Sequence, residues 1–439
     1  MLHNRSGGQK PTKSVSSWAS LFKPDNSTKT ASGSSVSGAG YASGSNSGVM
    51  KRQQFNTLDK ALENMRVVFD PVQVQPRGLV NTGNMCFMNV VLQALLYCAP
   101  FFNMLSSIKE GVAHSFKTET PLLEALIQYV HEFDIDTTPL ARLENGPGDP
   151  FVPENVYEAL RKKNVFQTLR GQQEDAQEFM SYLIDGIHEE MVDILHTRRL
   201  APTLTKTSAI PSAGSADGTD EGSEWMEVGR NNKATVVRDS STLSIPTPIT
   251  RIFGGTLRST LTVPHSSGGR GSMAAHTAPK AQPSSNREPF QWLALDISPE
   301  SVKTIDSALD EFVAAETIEG YVNHEKVSVN ATKQILLEKL PPVLVMHLKR
   351  FVFCPYEGVQ KVHKFIEYPA TLTIEPKWLA KTKDASEYKG RTYRLESVIY
   401  HHGSQASGGH YTCDLRRSAN EWLRFDDVEI GSLNSVDDA

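Results

Sequence analysis

Residues 77–98 read RGLVNTGNMCFMNVVLQALLYC, and the organisation of the chain follows from how this stretch folds. Counting from Phe87, the apolar residues Phe87, Val90, Val91, Ala94, Leu95 and Cys98 recur at offsets 0, 3, 4, 7, 8 and 11, the period of one helix face. Met88, Leu92 and Leu96 fill most of the other side, so the spacing predicts a helix packed all round. Gly83 and Asn84 precede the run where a turn and an N-cap belong, which puts Cys86 in the first turn. There the N–H groups lack intrahelical partners and the helix dipole is positive. Such a site favours a thiolate: helix N-termini and a neighbouring imidazolium lower a cysteine pKa from about 8.5 to roughly 3.5–7.5. A buried cysteine is more often a small hydrophobe, and Cys98, on the apolar stripe, reads that way. Cys86, close after Asn81, Gly83 and Asn84 and followed by an aromatic, reads as a nucleophile.

The bounds are permissive. At 439 residues the chain has room for a large core, and a formal net charge of −5 gives no electrostatic reason to expect nucleic acid or an anionic membrane as partner. Four cysteines, at 86, 98, 354 and 413, are too few and too scattered for a disulfide framework and suit a reducing compartment. The greasy run 90–102 is interrupted by Gln93 and Pro100 and is too short to span a bilayer, and no signal peptide opens the chain. The expected location is cytoplasmic, with the nucleus as a further site.

Residues 1–70 are expected to be a disordered tail. Positions 31–48 alone hold seven Ser and five Gly, which bury too little apolar surface to offset the entropy of ordering. Such a tail is a candidate docking segment for an adaptor protein. From Arg77 the composition turns globular. Residues 121–133 and 153–163 read as helices that begin at proline. Residues 171–195 read as a third, with Ala176, Phe179, Met180, Leu183, Ile184 and Ile187 on one face. Two stretches, about 197–247 and 265–288, read as mobile insertions. From Arg251 the pattern turns to strands, interrupted by one helix near 305–316. A helical half followed by a mostly antiparallel half predicts an α+β fold with a cleft between them.

A second candidate element lies in GSQASGGHYTCDL (403–415). His410 follows a glycine pair and starts a short strand with Tyr411, Cys413 and Leu415 on one face and Thr412 and Asp414 with it on the other. A lone histidine is more often structural. Here WLRFDD follows, and Asp426 lies sixteen residues after His410 with Asp427 next to it. A nucleophilic cysteine needs a base, and the base needs a group that fixes its tautomer. Asn81 alone is an ordinary turn asparagine. Asp175 and Glu178, three residues apart before an apolar helix, are adequately explained as a capping arrangement.

Asn81, Gly83, Asn84, Cys86, Phe87, Asn89, Leu92, Gln93 and Leu95 nevertheless resemble the cysteine box of the ubiquitin-specific proteases, papain-like cysteine peptidases that remove ubiquitin. Met85 and Phe87 stand where that family usually has Thr and Tyr. GGHYTCDLRRSANEWLRFDD (408–427) resembles its histidine box, and QEDAQEF (173–179), LPPVLVMHLKRFVF and QKVHKFIEYP resemble further segments in the correct order. EWMEVGRNN (224–232) and a middle without metal ligands are nearest to the branch typified by ubiquitin carboxyl-terminal hydrolase ten.

The resemblance implies a helical thumb with a β-rich palm and fingers over residues 77–439, and ubiquitin and ubiquitinated proteins as partners. It implies Cys86 as nucleophile, His410 as base, Asp426 as its orienting group with Asp427 as the alternative, and Asn81 as oxyanion donor. Gln173, Asp175, Glu178, Gly409 and Tyr411 would contact the ubiquitin tail. Many relatives carry a zinc on paired CxxC motifs. This chain has none, so neither metal nor other cofactor is expected. The sequence runs 12 residues past Asp427, where relatives continue into an aromatic-rich strand. A missing final strand is therefore expected, and with it a rival reading as a ubiquitin-binding scaffold of impaired activity.

Overall fold

The computed structural model describes residues 57–112, 120–135, 146–162, 174–200, 245–264, 282–323, 326–354, 356, 358–381, 391–405, 408–419 and 421–433. Its helices are α1 (Leu58–Asn64), α2 (Cys86–Tyr97), α3 (Ala99–Val112), α4 (Pro121–His131), α5 (Glu154–Lys162), α6 (Ala176–Leu200), α7 (Pro248–Phe253) and α8 (Ile305–Val313). Helix α2 is the hub. Eleven of its twelve residues are buried, as a helix apolar on both sides must be. It packs against α6, where the Phe87 and Phe179 rings meet edge-on at 5.7 Å, and against the sheet that carries His410. Its polar residues Asn89 and Gln93 follow Cys86 at helical spacing and are also buried, so each needs a partner. Gln93 Nε2 donates to Arg77 O at 2.7 Å, and Asn89 Nδ2 donates to Leu79 O at 3.3 Å.

Two short parallel strands, β1 (Arg77–Leu79) and β2 (Gly148–Phe151), interrupt the helical half. The other half contains β3 (Gly255–Val263), β4 (Gln282–Phe290), β5 (Leu293–Asp296), β6 (Glu316–Val322), β7 (Ser328–Lys339) and β8 (Met346–Lys349). Then come β9 (Phe351–Cys354), β10 (Gly358–Lys361), β11 (Thr371–Thr373), β12 (Thr392–Arg394), β13 (Ser397–Gln405), β14 (Gly408–Ser418), β15 (Glu421–Asp426) and β16 (Glu429–Leu433). Two four-stranded antiparallel sheets dominate, ordered β4-β3-β7-β6 and β13-β14-β15-β16, and β9 and β10 form a separate ribbon. Tyr411, Cys413, Leu415, Leu423 and Phe425 join the helices in one apolar core, and a second core gathers around α8, β5 and Trp378.

The alternation expected of β14 is present, but its second face is covered as well. Thr412 bonds His402 Nε2 at 2.8 Å, and the fully buried Asp414 takes both arms of Arg424 at 2.8 Å each. Removing the guanidinium would leave a buried carboxylate unpaired. Arg424→Met is therefore expected to destabilise the fold by roughly 3–5 kcal/mol, read by urea unfolding; a loss below about 1 kcal/mol would contradict the pairing.

Several expectations need correction. The tail does not extend to residue 70: Leu58, Ala61 and Leu62 bury one face of α1, and Arg251 donates to Met65 O at 3.0 Å. Low overall hydrophobicity hides three apolar residues that find a partner only in the fold. Residues 1–56 lie outside the described set. Arg251 opens no strand, because Pro248 at the first turn and a Thr247–Thr250 capping box make 248–253 a helix. The second insertion ends early: 282–288 belong to β4, which pairs along the whole of β3 by backbone bonds that polar side chains do not reveal. The first insertion loses both ends, since α6 runs on to Leu200 and 245–247 lead into α7, while 201–244 lie outside the described residues. Helix α3 was not legible, because Pro100 reads as a breaker; in the first turn its missing N–H costs nothing. Beyond Asp427 the described chain adds β16, paired along β15 from Trp422 to Asp426; its residues EIGSL include no aromatic, so it is not the aromatic-rich strand named above. No single helix among the described residues is long and apolar enough to cross a membrane.

Candidate active site

The loop before α2 is shaped by Asn81 rather than Asn84. Gly83 (φ +135°) and Asn84 (φ +56°) both turn left-handed, which glycine and asparagine tolerate best. Asn81 Oδ1 holds the turn by accepting from Gly83 N at 3.2 Å and Met85 N at 2.8 Å. Met85, not Asn84, is the residue before the helix, and Cys86 is its first member with 2 % of its surface exposed. The other thiols with described side chains are poor nucleophiles. Burial pushes Cys98 up to about 12 and raises Cys413 well above its ordinary value.

On the sheet, β14 pairs with β15 so that His410 Nε2 meets Asp426 Oδ1 at 2.5 Å. A ring bonded through Nε2 has Nδ1 left to serve a thiol. The turn after β15 sends Asp427 (φ +50°) the other way, so the two aspartates divide the work. Asp427 O accepts from Leu79 N at 2.9 Å, and its carboxylate accepts from Asn81 Nδ2 at 2.9 Å and Asn89 Nδ2 at 2.8 Å. Tyr157 Oη donates to Asn89 Oδ1 at 3.0 Å, with burial first and the charge of Asp427 second raising the phenol's pKa. The turn lies so close to β1 that a Cβ on Gly78 would stand 2.5 Å from Val428 O. Asn81, in the loop that leads into Cys86, is thus bonded directly to the residue beside Asp426. Helix α2 also packs along β14, which brings Cys86 close enough to Tyr411, next to His410, for the two groups to interact electrostatically. In the sequence Asn89 has no role beyond its place in the cysteine box, and Tyr157 is not singled out; the signal for Asn89 is a polar residue one turn after Cys86 in a largely apolar helix.

The proposed tail contacts are placed unevenly. Asp175 caps α6, with Oδ1 accepting from Gln177 N at 2.7 Å and Glu178 N at 3.3 Å. Capping uses one carboxylate oxygen; the residue also lines a recess of about 390 Å³ with Glu178, Tyr182, Asp185, His347 and Lys349. Glu178 accepts from Tyr182 Oη at 3.2 Å in that recess. Tyr411 is not an open contact. It is 6 % exposed, with its ring 4.7 Å from that of His401, centroid to centroid, and burial raises the pKa of its hydroxyl. Gln173 and residues 224–232 lie outside the described residues.

Gly409 is exposed and has no room for a side chain on its other side, where a Cβ would stand 2.1 Å from His402 O. Gly409→Ala must push the neighbouring His410 out of place. We expect the rate of a reaction that uses His410 to fall about 10²-fold with the melting temperature little changed; wild-type rates would refute the close approach.

His410, Asp426 and Asp427 offer donor atoms within 4.8 Å of one another, the one such trio among the described residues. Both carboxylates already accept protein donors, so the trio's chemistry is that of a hydrogen-bonded network.

The profile of the ubiquitin carboxyl-terminal hydrolase family matches residues 77–437. The chain belongs to this family. Its relatives in the family include the frog Xenopus laevis ubiquitin carboxyl-terminal hydrolase 10-A, 36 % identical over 399 residues that cover 86 % of this chain and 48 % of that protein. The probable ubiquitin carboxyl-terminal hydrolase 3 of Schizosaccharomyces pombe is 38 % identical over 404 residues, 87 % of this chain and 72 % of that one. The chain thus spans about half the length of the hydrolase 10 relatives. The fold is shared with Ubp8 in the structure of the SAGA Ubp8/Sgf11/Sus1/Sgf73 DUB module bound to ubiquitin aldehyde, at TM-score 0.56 and 22 % identity over 82 % of this chain and 66 % of that one. Family membership agrees with the α+β architecture and with the cysteine and histidine boxes lying on the two elements that the core brings together.

Proposed function

We propose that this chain is a thiol-dependent deubiquitinase that cleaves the bond after the C-terminal glycine of ubiquitin in ubiquitin–protein conjugates. The observation that carries this reading is the bonded chain Asn81–Asp427 beside the His410–Asp426 pair, which ties the loop of the helix-start cysteine to the strand end that orients the histidine. The sulfur of Cys86 attacks the carbonyl carbon, and the electron pair moves onto oxygen, where one N–H of Asn81 steadies it. The other N–H stays on Asp427. His410, held by Asp426, takes the thiol proton and delivers it to the departing lysine amine, leaving a thioester. Water then attacks the thioester while His410 takes its proton and returns it to the sulfur. Asp175 and Glu178 supply carboxylates to which arginines of the ubiquitin tail can pair.

The scaffold rival is disfavoured by β16, which leaves β15, the strand bearing Asp426, paired on both sides. The setting we propose is a reducing one, the cytoplasm or nucleus, in which Cys86, Cys98 and Cys413 remain free thiols. Turnover of ubiquitin joined through its C-terminus to a fluorogenic amine tests the function. Release of the dye, blocked by alkylation of Cys86, is the expected result; tight ubiquitin binding without release would establish the scaffold reading instead.

A further inference from the structure

Lys361, the last residue of β10, aims its ammonium at three acceptors on β13: His401 Nδ1 at 2.9 Å, His401 O at 2.9 Å and Gly403 O at 2.7 Å. An ammonium has three donors, so this set uses all of them. Because β10 pairs with β9 while β13 belongs to the four-stranded sheet, these bonds join two separate sheets. His401 accepts as a neutral ring, for burial and then the charge of Lys361 bring its pKa down to about 4. That ring is wedged 5.4 Å from Phe351 and 4.7 Å from Tyr411, centroid to centroid. Its Nε2 lies 2.6 Å from where a Cβ on Gly409 would be. Gly403 is left-handed at φ +112°, and the β13–β14 register breaks between His402 and Gln405. A hairpin without regular pairing at that point takes its shape from whatever braces it.

We propose that Lys361 is a positioning residue that sets substrate specificity: by clamping His401 and Gly403 it fixes where the Gly408–Gly409 backbone runs beside His410, so that the passage there admits a tail of two glycines and turns away one with a side chain. The inference rests on the deubiquitinase reading. It assigns Lys361 no contact with the reacting atoms; the clamp acts through the ring of His401 on the residue before His410.

The test compares kcat/KM on two fluorogenic substrates, ubiquitin with its native end and ubiquitin whose penultimate glycine is replaced by alanine. Wild type is expected to favour the native end strongly. Lys361→Met is expected to narrow that preference by about tenfold while small-reagent alkylation of Cys86 keeps its rate, and Lys361→Arg, which retains charge and donors, is expected to recover most of it. An unchanged preference, with rates on both substrates either intact or lowered in proportion, would overturn the proposal. If Lys361→Met does not fold, His401→Gln decides: it keeps an acceptor for Lys361 but withdraws the ring from Gly409, and it must narrow the same preference or the proposal fails. Absence of turnover by the wild-type chain would sink the deubiquitinase reading itself, a result visible before any variant is made.

Discussion

Cys86→Ala is expected to lower turnover of a ubiquitin amide by at least about 10⁴-fold while ubiquitin still binds. The size of the effect follows from what the sulfur does, since no other atom at the start of α2 can form the thioester. The fold should survive. Deleting one sulfur from a site with 2 % exposure removes little buried volume, and the helix start does not rely on a cysteine cap because Asn81 shapes the loop. Cys98→Ala provides the contrast: burial holds its thiol near 12, and its removal should leave the rate within about twofold. Initial rates and calorimetric binding on the same preparations distinguish lost chemistry from lost recognition. A Cys86→Ala protein that still turns over substrate would remove the nucleophile from the account.

The second large effect belongs to the amide of Asn81. Removing one preorganised oxyanion donor costs roughly 10²–10³ in kcat in hydrolases, and Asn81→Ala is expected to fall in that range with KM little changed. Asp427 acts through the same amide. Its carboxylate holds Asn81 Nδ2 at 2.9 Å and Asn89 Nδ2 at 2.8 Å, so Asp427→Ala leaves the amide held only through Oδ1, loosens the aim of the donor and is expected to lower kcat by up to about 10²-fold. A double-mutant cycle separates this from general damage: in an Asn81→Ala background, Asp427→Ala should cost almost nothing further in kcat. Full additivity would mean that Asp427 does not work by orienting Asn81. Asp426→Asn offers a third comparison, because it weakens the grip on His410 Nε2 without touching the amide network.

The division of labour between these aspartates shows where reading along the chain stops. Two adjacent carboxylates at a strand end are indistinguishable by composition or period, and either could meet His410. A left-handed turn at Asp427, anchored by Leu79 N on its carbonyl, decides the matter by sending one side chain to the histidine and the other to two asparagines. Likewise, Asp175 reads as a helix cap or as a substrate contact, and in the fold it has one oxygen on the helix N–H groups while it faces the recess beside His347 and Lys349. Tyr411 reads along the chain as one more tail contact, and in the fold it is 6 % exposed with its ring 4.7 Å from that of His401, centroid to centroid.

Local pattern was sufficient for α2, α4, α5, α6 and α8, because a helix that buries a face must repeat apolar residues every three or four positions whatever it packs against. It also sufficed for Cys86 at a helix start and for the alternation of β14, both set by neighbours in the chain. Strand β4 and helix α3 escaped, the first because its stability lies in backbone bonds to β3, the second because a proline in the first turn looks like a break. The network of Asn89, Tyr157 and Asp427, and the clamp of Lys361 on His401, were beyond reach for a common reason. Their partners lie 338, 68 and 40 residues apart, and hydrogen bonds depend on distance in space, which only the packing of α2 among α5 and the β15 turn, and of β10 on β13, supplies.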